Sequence, residues 1–185
     1  MFIIIFKRIA CYFLFFVIIM GWQIQANAHS KSSTAQAKVN YATELAVQAM
    51  EPTILLDFSG MGRIDCDVVF TVIANTEEVQ MYVEATDLHF SDSTKNVSAI
   101  PLNTSAGIKI DPVGAEGSRN AAFVGSGDTI QGLSSHKTEI LKFASQDSLT
   151  FNHEVFVSLE WNQKEEQKPA GEYTANIRLT CFITP

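Results

Sequence analysis

The chain predicts an all-β fold, and three observations carry that expectation. Val39, Tyr41, Thr43, Leu45, Val47 and Ala49 alternate with Asn40, Ala42, Glu44, Ala46 and Gln48, the two-residue period of a strand. Near the other end, Tyr173, Ala175, Ile177, Leu179, Cys181 and Ile183 alternate with Thr174, Asn176, Arg178, Thr180 and Phe182 in the same way. Between them, short apolar runs are separated by polar or Gly/Pro clusters, and no stretch sustains the i, i+3, i+4, i+7 stripe of a helix.

Met1 to Ala28 contains no Asp or Glu, carries Lys7-Arg8, is apolar from Ile9 to Met20 and ends Ala26-Asn27-Ala28. These are the marks of a secretory signal peptide cleaved after Ala28. A membrane anchor is the alternative, but the apolar run is short against the roughly 20 residues of a spanning helix. A lipoprotein site at Cys11 does not fit, because the apolar stretch follows the cysteine instead of preceding it. Cleavage leaves His29 to Pro185, one ordinary domain with enough chain for a core.

His29 to Lys38 is small and polar and is expected to be a flexible leader. With the alternating arm it makes a segment 29–50 ahead of a domain 51–185. Glu51-Pro52 marks a joint, and a strand over Thr53–Phe58 is expected after it. Ser59 to Gly62 is a turn, Ile64–Ala74 a strand with Cys66, Val68, Phe70 and Val72 on one face, and Val79–Ala85 its expected hairpin partner. Thr86 to Asp128 reads as decorated loops and short edge strands. Further strands are expected near Ile130–Leu133, Glu139–Phe143, Leu149–Phe151 and Val155–Trp161 before the last alternating segment. This count and spacing, with no helical crossover, fit an immunoglobulin-like β-sandwich.

The whole chain carries a net charge of −7; removing Lys7 and Arg8 leaves 11 basic against 20 acidic residues, a net charge of about −9. Such a surface argues against a nucleic-acid partner. Two cysteines remain after cleavage, Cys66 and Cys181, and export into an oxidising compartment predicts one disulfide between them, two buried thiols being the alternative. On the chain-entropy model that bridge, closing so long a loop, would stabilise by roughly 4 to 5 kcal/mol.

No enzymatic chemistry is expected. His29, His89, His136 and His153 are scattered without a second ligand at metal spacing, so no metal or other cofactor is called for. No nucleophile elbow, phosphate loop or dinucleotide fingerprint occurs. Asp65 and Asp67, flanking Cys66 on alternate strand positions, read as a solvated strand face in preference to a catalytic pair.

In layout the chain resembles subunits of bacterial fimbriae assembled by the chaperone–usher route. The resemblance rests on the arm Val39–Ala49 running into Met50-Glu51-Pro52, on Pro169-Ala170-Gly171-Glu172-Tyr173 opening an alternating last strand, and on Gly171 near the end of the chain. Gly62-Arg63-Ile64-Asp65-Cys66 with Cys181-Phe182-Ile183-Thr184-Pro185 is most similar to the invasin-type or tip subunits of thin fimbriae. Thr184 departs from the aromatic that many pilins carry there.

The resemblance implies an incomplete sandwich and donor-strand complementation, a form of β-augmentation. Val39, Tyr41, Thr43, Leu45 and Val47 would then be the side chains donated to a neighbouring subunit, and Tyr173, Ala175, Ile177, Leu179 and Ile183 would edge the receiving groove. It further implies a periplasmic chaperone anchored on the carboxylate of Pro185, an outer-membrane usher, other pilus subunits and a host receptor as partners, and a place on the cell surface reached through the periplasm. The rival reading makes Val39–Ala49 the first strand of its own domain, in a self-complete surface adhesin or binding module.

Overall fold

Thirteen strands and no helix make up the computed structural model over its described residues, 43–51, 61–164 and 168–183. All belong to one compact unit, Tyr41–Pro185. In chain order they are β1 (Leu45–Ala49), β2 (Gly62–Ala74), β3 (Glu78–Thr86), β4 (His89–Phe90), β5 (Ile108–Pro112), β6 (Ala115–Gly117), β7 (Asn120–Ala121), β8 (Phe123–Ser126), β9 (Ser135–Thr138), β10 (Leu141–Ser145), β11 (Phe151–Gln163), β12 (Tyr173–Thr174) and β13 (Ile177–Phe182). The signal peptide, the leader, Val39, Tyr41, the strand expected over Thr53–Phe58 and Pro185 lie outside the described residues.

Every pairing is antiparallel. Sheet A runs β1-β2-β11-β5-β7, and its middle is the thirteen-residue ladder from Phe151↔Ala74 to Gln163↔Gly62. Sheet B is built around β3. On one edge β3 pairs with β13; on the other its first half pairs with β10 and its second half with β9. Between those two partners the Val83 amide would be orphaned, and the Thr138 hydroxyl accepts from it at 3.0 Å. β6 and β8 lie outside β10 and β9, and β12 pairs with β4 in a small third sheet.

The alternation of the long strands sets the core. On β2, Ile64, Cys66, Val68, Phe70, Val72 and Ala74 are buried; on β11, Phe151, Val155, Val157, Leu159 and Trp161; on β3, Val79, Met81, Val83 and Ala85. These form one apolar cluster shared by both sheets, an arrangement consistent with a β-sandwich. Trp161 is buried because its one polar atom is satisfied: the indole N–H donates to the Thr86 carbonyl at 3.0 Å.

Two expectations are corrected. β2 and β3 do not form a hairpin: the bend at Asn75–Glu77 carries the chain from sheet A to sheet B, since alternate residues of both strands must reach the same core. The last segment is not one strand. Tyr173 pairs with Phe90, its ring 5.1 Å from that of Phe90, and its hydroxyl donates to the Pro169 carbonyl at 3.1 Å. These contacts hold Tyr173 away from sheet B, and pairing with β3 begins only at Ile177. Gly171 has no side chain to spare here, because a Cβ would run into the Phe90 ring.

Candidate functional site: the rim formed by β1 and β13

β13 pairs with β3 from Ile177↔Ala85 to Phe182↔Gln80. The Thr86 amide donates to the Asn176 carbonyl at 3.0 Å, which places Asn176, Arg178, Thr180 and Phe182 at the bonded positions of the ladder. Ile177, Leu179 and Cys181 therefore direct their N–H and C=O groups away from β3, and among the described residues no strand pairs with them. This row of unpaired backbone groups is a template for an added strand.

The side chains of the same three residues turn toward the core. Leu179 is buried, while Ile177, Cys181 and the following Ile183 are half-buried and pack on the core cluster with Ala175. Four of the five expected groove residues thus lie along one rim, and Tyr173 does not.

The opposite face of β13 is pinned. The Arg178 guanidinium makes two hydrogen bonds to Glu84, Nε to Oε2 at 2.8 Å and Nη2 to the same oxygen at 2.5 Å. Glu84 is 1% exposed, and its other oxygen accepts from the Asp128 amide at 2.8 Å. The hydrogen bonds to Glu84 hold the Arg178 guanidinium above its ordinary pKa. Gly127 lets the loop press onto this pair, since a Cβ would meet Glu84 and Ser135.

β1 takes the facing rim. It pairs with β2 from Leu45↔Ala74 to Ala49↔Phe70, flanked by Asn75 N–H to the Glu44 carbonyl and Met50 N–H to the Val69 carbonyl. Its backbone also comes within 8 Å of β13, but no ladder forms between them. Leu45 and Val47, expected among the donated side chains, lie in this structure on a strand paired with β2 of their own chain. Each is 37% exposed, and among the described residues no strand pairs with the outer side of β1. Thr43 is exposed and lies just ahead of β1.

Cys66 lies on β2 of sheet A and Cys181 on β13 of sheet B, and both are free thiols, so the expected bridge is not made in this structure. Burial pushes the Cys181 thiol up to about 12, and raises Cys66 as well, with the nearby Asp67 charge adding to it. Among the described residues no group of His, Cys, Asp and Glu is placed to hold a metal ion. The sequence reading missed the Glu84–Arg178–Asp128 cluster. A charged residue, Glu84, next to the end of the alternating strand Val79–Ala85 was its only signal.

No family model, no curated protein and no solved structure matches the chain.

Proposed function

We propose that this protein is an exported, non-enzymatic fimbrial subunit of immunoglobulin-like, pilin-type fold, which polymerises by accepting a strand from another copy along the outer edge of β13. The observation that carries the reading is that edge: N–H and C=O groups on Ile177, Leu179 and Cys181 that no strand pairs with among the described residues, above a row of buried and half-buried apolar side chains. An added strand would pair its backbone and cover that apolar row in one step.

Because Leu45 and Val47 are engaged in cis, the donated residues are those ahead of β1, with Val39, Tyr41 and Thr43 as the side chains that enter the neighbour. The remainder of the reading follows the family resemblance: a signal peptide removed after Ala28, a chaperone that holds the edge in the periplasm and anchors on Pro185, an usher, and a fibre at the cell surface. Pairing of Cys66 with Cys181 on export belongs to the same proposal, since both thiols feed the one core.

The test is export of the full chain and of a variant lacking residues 29–43. The full chain is expected to give SDS-resistant, heat-sensitive ladders, and the deletion a folded monomer. Ladders that persist after the deletion, or a full chain that is monomeric with its chaperone and usher present, would overturn the reading. A second reading, the self-complete surface module, is favoured by one observation, the cis ladder between β1 and β2. It predicts a monomer in both cases.

A further inference from the structure

The outer face of sheet A carries a feature that assembly at β13 does not use. Register places Asp67 opposite Ser158, Ser158 opposite Lys109, and Lys109 opposite Asn120. Their chain neighbours Cys66, Val68, Val157, Leu159, Ile108, Ile110 and Ala121 are buried, so these four side chains point outward. At a strand spacing of about 4.8 Å they make a row roughly 14 Å long: carboxylate, hydroxyl, ammonium, amide.

The row lines an open groove of about 730 Å³ together with Thr104–Gly107, Ala122, Phe123 and Glu139. That volume is in the range of small-molecule sites. The next row is already tied internally. Arg63 bridges Asp65 at 2.5 Å and Glu160 at 3.1 Å, and the Asn103 amide donates to Glu160 at 2.5 Å. Lys109 is steadied by Asp111 at 2.7 Å. Asp67, by contrast, accepts no hydrogen bond and makes no ion pair among the described residues; its carboxylate faces the groove with its acceptor capacity unused.

The chemistry narrows the occupant. Four carboxylates line the groove, which disfavours an anion. The Arg63 and Lys109 charges, and the engagement of Asp65 with Arg63, disfavour a cation. Acceptors and donors at strand spacing suit a neutral molecule bearing hydroxyls at several positions: Asp67 accepts from them, Lys109 donates to them, and Ser158 and Asn120 do both. One aromatic ring in the lining, that of Phe123, supplies what such a molecule needs on its C–H side. We infer that this groove binds a neutral saccharide, laid across β2, β11, β5 and β7.

Being on sheet A, the site is separate from the edge of β13, and its success or failure is read whether or not the chain assembles. The experiment is an amide-shift titration of the exported chain with neutral oligosaccharides built from glucose, galactose, mannose and their N-acetylated amino sugars, each to about 50 mM. Expected are saturable shifts at Lys109, Asn120 and Ser158 with at least one of them. Asp67→Ala should weaken binding about tenfold or more, with the remaining spectrum unchanged. Asp67→Asn, which keeps an acceptor and the side-chain shape, should fall between the two. Silence from the whole panel, shifts confined to another face, undiminished binding by Asp67→Ala, or the same shifts produced by calcium alone would each overturn the inference.

Discussion

β2 and β11 share thirteen paired positions and bury alternate side chains along nearly their whole length, whereas β13 pairs over six and buries only Leu179 fully. Among the described residues, the first pair has a strand on both sides of each member and β13 has one. The centre of sheet A is where most of the core is held, and the rim of β1 and β13 is where, among the described residues, backbone and apolar side chains are only partly covered. Stability and assembly should therefore respond to different substitutions.

The largest effect is expected in the centre. Trp161→Ala removes a buried aromatic and leaves the Thr86 carbonyl without its donor, and should cost about 3–5 kcal/mol in urea unfolding. Unfolding no easier than wild type would mean that β11 is not the structural centre. Glu84→Ala comes next: it strands Arg178 and the Asp128 amide, but Arg178 is 39% exposed and water takes up part of the loss, so about 2–3 kcal/mol is expected.

Ile177→Lys sharpens the contrast. Placing a charge on a half-buried rim position should cost no more than about 1–2 kcal/mol while abolishing ladders on SDS gels, because the ammonium would sit in the path of an added strand. Ladders that survive it would detach assembly from β13. Val47→Ala, at a position 37% exposed on β1, should cost less than about 1 kcal/mol; a larger loss would show β1 to be part of the structural centre.

A pH series on the reduced protein separates the regions further. The folded-state pKa of Cys181 lies above its unfolded value, so the stability tied to its neutral thiol is intact below about 9 and declines as pH rises toward about 12. Replacing Cys181 with Ala should flatten that alkaline decline. At the acid end Asp111, drawn down first by its hydrogen bond to Lys109 and then by Arg119, contributes stability present above about pH 4 and lost as the pH falls through its lowered value.

The strands with one buried face were legible in the sequence: 64–74, the even-numbered set of β2, and the alternation Val155–Trp161 come through because two-residue periodicity encodes a single core side. What connects them was not. The turn at Asn75–Glu77 has the composition of a hairpin, yet it crosses between sheets, and local residue types do not distinguish the two. β9, Ser135–Thr138, is polar in sequence, and its place is set by the Val83 amide and the β3 edge that it completes. Alternation marked Leu45 and Val47 as strand residues without saying which molecule they would pair with. The rim of β13 was legible because Ile177, Leu179, Cys181 and Ile183 alternate; the break after Tyr173 was not, since it depends on the Phe90 ring and the Pro169 carbonyl far from any periodicity. The row Asp67–Ser158–Lys109–Asn120 joins four distant segments and exists only through register.

The most direct measurement is residue-resolved amide hydrogen exchange on the monomer and on the assembled form. Arg178, Thr180 and Phe182 should be protected in both, while Ile177, Leu179 and Cys181 should exchange rapidly in the monomer and become protected on assembly. Protection of those three in the monomer, or none gained in the polymer, would contradict the claim that the outer edge of β13 receives a strand from another copy.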